Sequence, residues 1–203
     1  LYRRFLRSNA RKLTIYITRA LKELTDQACS IQARSNEWMI APNGVDLVRY
    51  DNLPEVEQAR KMLNLPGRFT AAYSGGFSQG RGLETLQHLA QAFPDVQFLW
   101  IGGNPQQVAS WKEILEVQGI VNVILTGFIA NEELPLYQAA AEVLLMPYET
   151  KFSGSGGGNI ASVSSPMKMF EYMAAGRVIL TSDLPVLREV LNESNATFYI
   201  PED

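Results

Sequence analysis

From residue 69 onward, short apolar segments alternate with longer segments whose apolar residues recur at helical spacing. Segment 97–101 is apolar at almost every position, which is typical of a strand buried on both faces. In segment 83–93 the apolar residues recur with the period of a helix. Strands of this kind need helices on both faces of their sheet, joined by right-handed crossovers. The alternation therefore predicts an α/β fold built on a doubly wound, Rossmann-like parallel sheet. The predicted strands are 69–74, 97–101, 121–125, 142–146, 178–181 and 196–200, and the predicted helices are 83–93, 108–118, 131–140, 166–175 and 185–191.

Residues 1–41 have a different character. Segments 12–18 and 37–41 are typical of strands, 19–28 is typical of a helix, and Pro42-Asn43-Gly44 is a strong turn signal. We therefore predict two units, 1–41 and 42–203. Every charged residue among the first 22 is basic, which fits either a solvated helix face or a surface that contacts an anionic lipid or substrate. The chain begins at Leu1, so we expect it to be part of a longer protein.

Composition argues against several kinds of function. The net charge of −3 disfavours nucleic acid as the main partner, and no apolar run approaches the roughly 20 residues that span a bilayer. The single cysteine, Cys29, excludes an intrachain disulfide and is typical of a reducing compartment. The single histidine, His88, excludes sites built from several histidines. We therefore expect a cytoplasmic protein that does not bind nucleic acid.

The first strand of the 42–203 unit runs into the glycine-rich turn 75–82. Glycines let backbone N–H groups approach an anion, and Arg81 can bind phosphate oxygens. The turn departs from the P-loop pattern, because Arg81 replaces the lysine and Gly82 replaces the residue that would hold Mg²⁺. This disfavours an NTPase, and an ordinary strand-to-helix turn fits the same residues.

The predicted helix 166–175 combines a cap, a cation and a carboxylate. Ser165 is suited to the N-cap and Pro166 to the first helical position, which leaves first-turn N–H groups for a phosphate beside Lys168. Glu171 lies about 4.5 Å farther along the axis, roughly the step from a phosphate to a ribose. A plain Lys–Glu helix pair is the alternative.

Glycines end two further predicted strands. Gly103 follows 97–101 and Gly127 follows 121–125, so backbone there could line a nucleotide pocket. Phe128 could contact a base or pack in the core. The sequence has no close pair of carboxylates of the kind that would indicate an acid–base dyad.

In this order the motifs resemble those of the retaining GT-B glycosyltransferases called group 1 or family 4. The resemblance covers residues 42–203 and implies the C-terminal half of a GT-B fold. The matching segments are 42–46, 73–82, 100–103, 123–127, 147–148, 165–176 and 181–189.

The resemblance implies that 42–203 is the donor-binding domain and that 1–41 is the end of an N-terminal acceptor domain, the rest of which is missing. It implies retaining hexosyl transfer from a UDP- or GDP-sugar to an unidentified acceptor, with this fragment inactive alone. It implies no cofactor and no metal, since the nucleotide sugar is a substrate. We expect the protein to lie in the cytoplasm, and we expect the full-length protein also to contact the inner face of the membrane peripherally.

The resemblance also assigns residues. Arg81 matches a cation that binds the donor diphosphate and Glu171 the glutamate that binds the ribose; together with Lys168 they form the predicted catalytic set. The predicted donor-binding residues are Gly75, Gly76, Gly80, Gly103, Gly127, Phe128, Ser165, Pro166 and Met167.

Two family positions differ here. A second cation would fall near Gly76 or Phe77, and a second glutamate would fall at Val163. These departures leave open a non-catalytic nucleotide-binding or interaction domain of degenerate GT-B type. A related epimerase or a dehydrogenase fits less well, because His88 is poorly placed for catalysis and the turn lacks the dinucleotide-binding glycine spacing. We expect the Gly- and Ser-rich loop 153–164 to be mobile without donor and to contact the sugar or diphosphate.

Overall fold

The computed structural model describes residues 2–8, 11–31, 34–151 and 159–201. Its strands are β1 (Thr14–Tyr16), β2 (Trp38–Ile40), β3 (Thr70–Ser74), β4 (Gln97–Ile101), β5 (Val123–Gly127), β6 (Val143–Met146), β7 (Val178–Ser182) and β8 (Thr197–Tyr199). Its α-helices are α1 (Tyr2–Leu6), α2 (Arg19–Cys29), α3 (Val56–Met62), α4 (Leu83–Ala92), α5 (Pro105–Val117), α6 (Leu134–Ala139) and α7 (Met167–Ala175). Two 3-10 helices span Leu47–Tyr50 and Leu187–Glu189.

Six of the strands form one parallel sheet in the order β5-β4-β3-β6-β7-β8. The chain builds outward from β3 through β4 to β5, then crosses to the other side of β3 at β6. This reversal creates a topological switch point between β3 and β6, where ligands bind in open α/β sheets. The predicted doubly wound parallel α/β fold is confirmed.

Strand β4 shows why the strands are apolar throughout. Successive side chains of a strand point to opposite faces of the sheet. Phe98 and Trp100 pack in the cluster formed with α4, whereas Leu99 and Ile101 pack in the cluster formed with α7. Both faces are covered, so neither set of positions can be polar without a burial cost.

Residues of the N-terminal segment form a separate two-stranded parallel sheet, in which β1 pairs with β2. The segment is tied to the rest of the chain at the start of α2. Glu189 accepts hydrogen bonds from the backbone N–H groups of Arg19, at 2.7 Å, and Ala20, at 2.9 Å. Thr18 Oγ1 donates to the Val163 carbonyl at 2.9 Å. The division into 1–41 and 42–203 stays a prediction.

Three local predictions differ from the structure. The predicted helix 185–191 is only the 3-10 turn Leu187–Glu189, which has no side-chain cap, and its Arg188 pairs with Asp183. The predicted helix 131–140 begins three residues later, at Leu134. Helix α3 was not predicted at all.

Candidate functional site

A cleft of about 950 Å³ lies at the carboxyl ends of β3 and β4, beside the switch point. Its floor includes Ser74 and Gly75 at the end of β3 and Ile101 at the end of β4. The start of α7 forms one wall, and Ile17 and Leu21 of the N-terminal segment also face the cleft. The topology therefore gathers the predicted strand-end residues around one cavity.

Lys168 carries a buried ammonium group into this cleft. Its Nζ lies 3.9 Å from the centroid of the Tyr73 ring and 5.0 Å from that of Tyr148, and it forms no hydrogen bond with any described residue. Burial lowers the pKa of Lys168 well below its usual value; the Arg81 charge lowers it further, and Glu171 opposes both. A buried cation without an anionic partner is costly, so the site is suited to receive an anion.

Arg81 supplies the second positive charge. Its Nη1 donates a hydrogen bond to the Tyr148 hydroxyl at 3.1 Å, and its guanidinium lies over the Tyr148 ring. Arg81 lines the same cleft as Lys168. An anion placed between the two cations would relieve their mutual repulsion.

Helix α7 begins differently from the sequence prediction. Its first residue is Met167 and its N-cap is Pro166, with no side-chain cap. The predicted capping role of Ser165 is wrong, because its hydroxyl accepts a hydrogen bond from the Asn43 backbone N–H at 3.1 Å. The start of α7 is thus left without a side-chain acceptor, and uncapped helix starts favour bound anions.

Glu171 lies one turn into α7 and lines the cleft. Burial raises the pKa of its carboxyl, whereas Arg49, a hydrogen bond with Gln138 and the Lys168 charge lower it. Gln138 is fully buried; it accepts from the Tyr50 hydroxyl at 3.0 Å and donates to Ser74 Oγ at 3.2 Å. Gln138, the hydrogen-bond partner of the Glu171 carboxylate, is thus itself held by Tyr50 and Ser74.

The sequence analysis missed Gln138, Tyr50 and Arg49, together with the two tyrosines around Lys168. Their roles depend on contacts between elements that are distant in sequence, for example 88 residues between Tyr50 and Gln138. The only available signal was for Gln138, a polar side chain within the apolar part, 134–140, of a predicted helix.

The cleft brings together all three predicted catalytic residues, Arg81, Lys168 and Glu171. Most of the predicted donor-binding residues also line it: Gly75, Gly76, Gly103, Phe128, Ser165, Pro166 and Met167. Phe128 is 82% exposed at the cleft, which removes the core-packing alternative.

Gly80 and Gly127 do not line the cleft. Gly80 is buried and its carbonyl accepts from the Glu149 N–H, while the Gly127 carbonyl accepts from the Gly102 N–H at 2.8 Å. Both glycines have positive φ angles, so turn geometry explains them. Besides lining the cleft, Gly103 must be a glycine for packing, because an added Cβ would lie 2.6 Å from the Phe77 ring.

Part of the predicted loop 153–164 lies outside the described residues, namely 153–158. Of the described part, Ile160, Val163 and Ser164 line the cleft. Val163 lies where the family resemblance implies the first of two glutamates, of which Glu171 matches the second, and it brings no hydrogen-bonding side chain.

Two of the basic residues near the N-terminus have structural partners. Arg3 Nε donates to the Cys29 carbonyl at 3.2 Å and Arg7 donates to the Ser30 carbonyl at 3.1 Å. These cations satisfy carbonyls at the end of α2. Within the described ranges, no helix has the length and apolar character needed to cross a bilayer. The part of the chain that the structure describes holds no group of three or more His, Cys, Asp or Glu side chains able to bind a metal ion.

The chain is similar to proteins named as sugar-transferring enzymes. The family model of the group 1 glycosyl transferases matches residues 73–203. The 2-deoxystreptamine glucosyltransferase of Streptomyces kanamyceticus is 31% identical over 115 residues, which are 53% of this chain and 30% of that enzyme. The phosphatidyl-myo-inositol mannosyltransferase of Mycobacterium tuberculosis is 24% identical over 203 residues, covering 94% of this chain and 50% of that enzyme. The chain thus spans half the length, or less, of these relatives.

Solved structures support the fold. Anabaena HepE, solved in complex with UDP and glucose, matches with a TM-score of 0.71 at 19% identity, over 94% of this chain and 50% of that chain. The match confirms the predicted C-terminal, Rossmann-like half of a GT-B fold.

Proposed function

The chain belongs to the group 1 glycosyltransferases, and we propose that its cleft binds the diphosphate of a UDP- or GDP-sugar for retaining hexosyl transfer, as in family 4. The observation that carries the proposal is the buried Lys168 ammonium group, which has no hydrogen-bond partner among the described residues and lies at the uncapped start of α7. Keeping such a group charged is costly unless an anion approaches it.

Each charged residue has a separate role in this proposal. Arg81 and Lys168 bind the diphosphate oxygens together with the first N–H groups of α7. Glu171 accepts hydrogen bonds from the ribose hydroxyls, and the exposed ring of Phe128 contacts the base. That HepE was solved with UDP supports a nucleoside diphosphate as the ligand class.

The mechanism follows from where charge develops. As the bond between the sugar and the diphosphate breaks, negative charge grows on the diphosphate oxygens. Preorganised cations and helix N–H groups stabilise that charge without reorganising. We propose that the departing diphosphate takes part in removing the acceptor proton. Because the cations and the helix N–H groups stabilise the diphosphate charge, we propose that no metal ion is needed. The nucleotide sugar is itself a substrate, so we propose no cofactor either.

The acceptor half is proposed to come from an N-terminal domain beyond residues 1–41. Because the chain spans half its relatives or less, we expect it to bind donor without transferring sugar. We propose a cytoplasmic location, with peripheral contact to the inner membrane face. The lipid named in the mycobacterial relative, phosphatidyl-myo-inositol, and the exposed Arg4 support that contact.

Val163 motivates a second candidate function, a non-catalytic nucleotide-binding or interaction domain. Its side chain lines the cleft but cannot hydrogen-bond a sugar hydroxyl. The two candidates differ in one measurement: transfer of sugar by the full-length protein would discard the second.

Calorimetric titration of the chain with UDP, GDP and ADP tests the proposal. We expect binding of UDP or GDP, and weakening by about 1.5–3 kcal/mol for Arg81→Ala and for Lys168→Met, the scale of a charged hydrogen bond. Lys112→Met is the matched control, because that lysine is 70% exposed and pairs only loosely with Glu116. Unchanged UDP and GDP affinities in both cleft variants would refute the assignment.

A further inference from the structure

At the start of α7, the local sequence and a tertiary contact favour different conformations. Ser165-Pro166 is the sequence that favours a helix beginning at Pro166, with Ser165 as the N-cap. In the structure Pro166 is extended, with ψ 126°, and the helix begins one residue later without a side-chain cap. A tertiary contact therefore overrides the local preference.

Asn43 provides that contact. It lies in the segment that follows β2, far from α7 in sequence. Its backbone N–H donates to Ser165 Oγ at 3.1 Å, and its side-chain Nδ2 donates to the Ser165 carbonyl at 2.5 Å. Ser165 is buried, at 6% exposure, so these bonds are shielded from water. Asn43 engages both the hydroxyl and the carbonyl of Ser165, and among the described residues α7 has no side-chain cap.

A second contact holds the same loop. Thr18 Oγ1 donates to the Val163 carbonyl, two residues before Ser165. The loop 163–165 is thus fixed by the N-terminal segment on one side and by Asn43 on the other. Just beyond it lies the buried Lys168 Nζ, which has no hydrogen-bond partner among the described residues.

We propose that Asn43 is a positioning residue that keeps Ser165 from capping α7, so that the first N–H groups of the helix stay open to the donor diphosphate. The inference rests on the proposed function, because it assigns a new residue to the same anion site. Loss of the Asn43 side-chain amide removes the donor to the Ser165 carbonyl and leaves only the backbone N–H bond to the Ser165 hydroxyl. With its carbonyl released, Ser165 can rotate into the N-cap position, where its hydroxyl exchanges that one bond for the N–H groups of α7. An incoming diphosphate must then displace that hydroxyl.

The test is a double-mutant cycle on the 203-residue chain, read by calorimetric titration with UDP and with GDP. We expect Asn43→Ala to weaken binding about 2- to 30-fold, the range that corresponds to the energy of a capping hydroxyl. In the Ser165→Ala background, where no hydroxyl can cap, Asn43→Ala should have almost no further effect on either affinity. Should Asn43→Ala fail to fold, Asn43→Ser removes the same amide donor.

Controls separate the outcomes. Asn36→Ala, in an exposed turn, should leave both affinities unchanged. If Lys168→Met leaves binding unchanged, the proposed function itself fails. If Lys168→Met weakens binding but Asn43→Ala does not, or if Asn43→Ala weakens it equally in both backgrounds, only the role of Asn43 is overturned. A purely structural role would instead lower the urea midpoint of Asn43→Ala and leave the affinity unchanged.

Discussion

At the level of single residues, the pKa of Lys168 couples nucleotide binding to protons. Burial and the Arg81 charge hold that pKa well below its usual value, so the free cleft binds the proton of Lys168 less tightly than water does. A bound diphosphate favours the ammonium form and raises the pKa. Between the free and bound pKa values, binding therefore takes up a proton and the affinity falls as pH rises.

This linkage is measurable with UDP-glucose, whose diphosphate has no titrating terminal oxygen. Titrations at one pH in buffers of different ionisation enthalpy should give different observed enthalpies, with a slope that reports proton uptake. Lys168→Met should abolish the slope, whereas Lys112→Met should keep it. A wild-type slope of zero throughout the neutral and alkaline range would contradict the linkage.

Gly75 makes room for the same lysine. An added Cβ would lie 2.7 Å from Lys168 Nζ and 3.1 Å from the Tyr73 hydroxyl oxygen, at a φ of 149° that L-residues rarely adopt. We expect Gly75→Ala to displace the ammonium group and weaken UDP or GDP binding about tenfold, the low end of losing a charged hydrogen bond. Gly67→Ala is the matched control, because nothing lies within 4 Å of its added Cβ and it does not line the cleft. Equal affinities of the two variants would argue against this spatial role.

At the level of secondary-structure elements, the sequence predicted those parts whose pattern reflects burial. The central strands of the main sheet were predictable because both of their faces are covered, and β4 shows this residue by residue. Helix α3 was not predictable in the same way. Its buried positions are Ala59 and Arg60 rather than a periodic apolar set, and it packs through alanines against the end of α6.

The features of the candidate site also differ in whether the sequence could predict them. Arg81, Lys168 and Glu171 could be predicted because each follows a strand end or a helix start within a few residues. The start of α7 was predicted one residue early, because the Asn43–Ser165 bonds join positions 122 residues apart. The site therefore depends on long-range contacts where it departs from local preference.

Asn122 shows how one side chain joins neighbouring elements. Its Nδ2 donates to the carbonyls of Ala90, Phe93 and Val96, at 2.9, 3.0 and 2.9 Å, which ties the α4–β4 connection to the residue before β5. Asn122→Ala leaves buried carbonyls without this donor and should cost about 1–3 kcal/mol of unfolding free energy.

Asn122→Asp should cost more than Asn122→Ala at neutral pH, because a carboxylate would then face three carbonyl oxygens. Urea denaturation measures both variants, and Asn131→Asp at an exposed position serves as the control. If the aspartate variant were as stable as the wild type, the connection would not depend on this donor.

At the level of the whole molecule, the N-terminal segment is attached to the rest of the chain through the first turn of α2. Glu189 accepts from the Arg19 and Ala20 N–H groups, which places a negative charge at the positive end of the helix. The same segment presents Ile17 and Leu21 to the cleft. Docking of α2 therefore also shapes one wall of the cleft.

Removing that carboxylate should loosen α2 without unfolding the main sheet. We expect Glu189→Ala to cost about 0.5–2 kcal/mol at the helix start, and hydrogen exchange at the Arg19 and Ala20 amides to speed up accordingly. Glu116→Ala, at a 67% exposed position, is the control and should leave these amides unchanged.

Because Ile17 and Leu21 face the space that a nucleotide would fill, saturating UDP or GDP should slow the hydrogen exchange of the Arg19 and Ala20 amides in the wild type. The slowing should be smaller in Glu189→Ala, whose α2 is less firmly docked. Identical exchange in the two proteins, with and without nucleotide, would mean that the segment is held by other contacts and that its position is independent of the cleft.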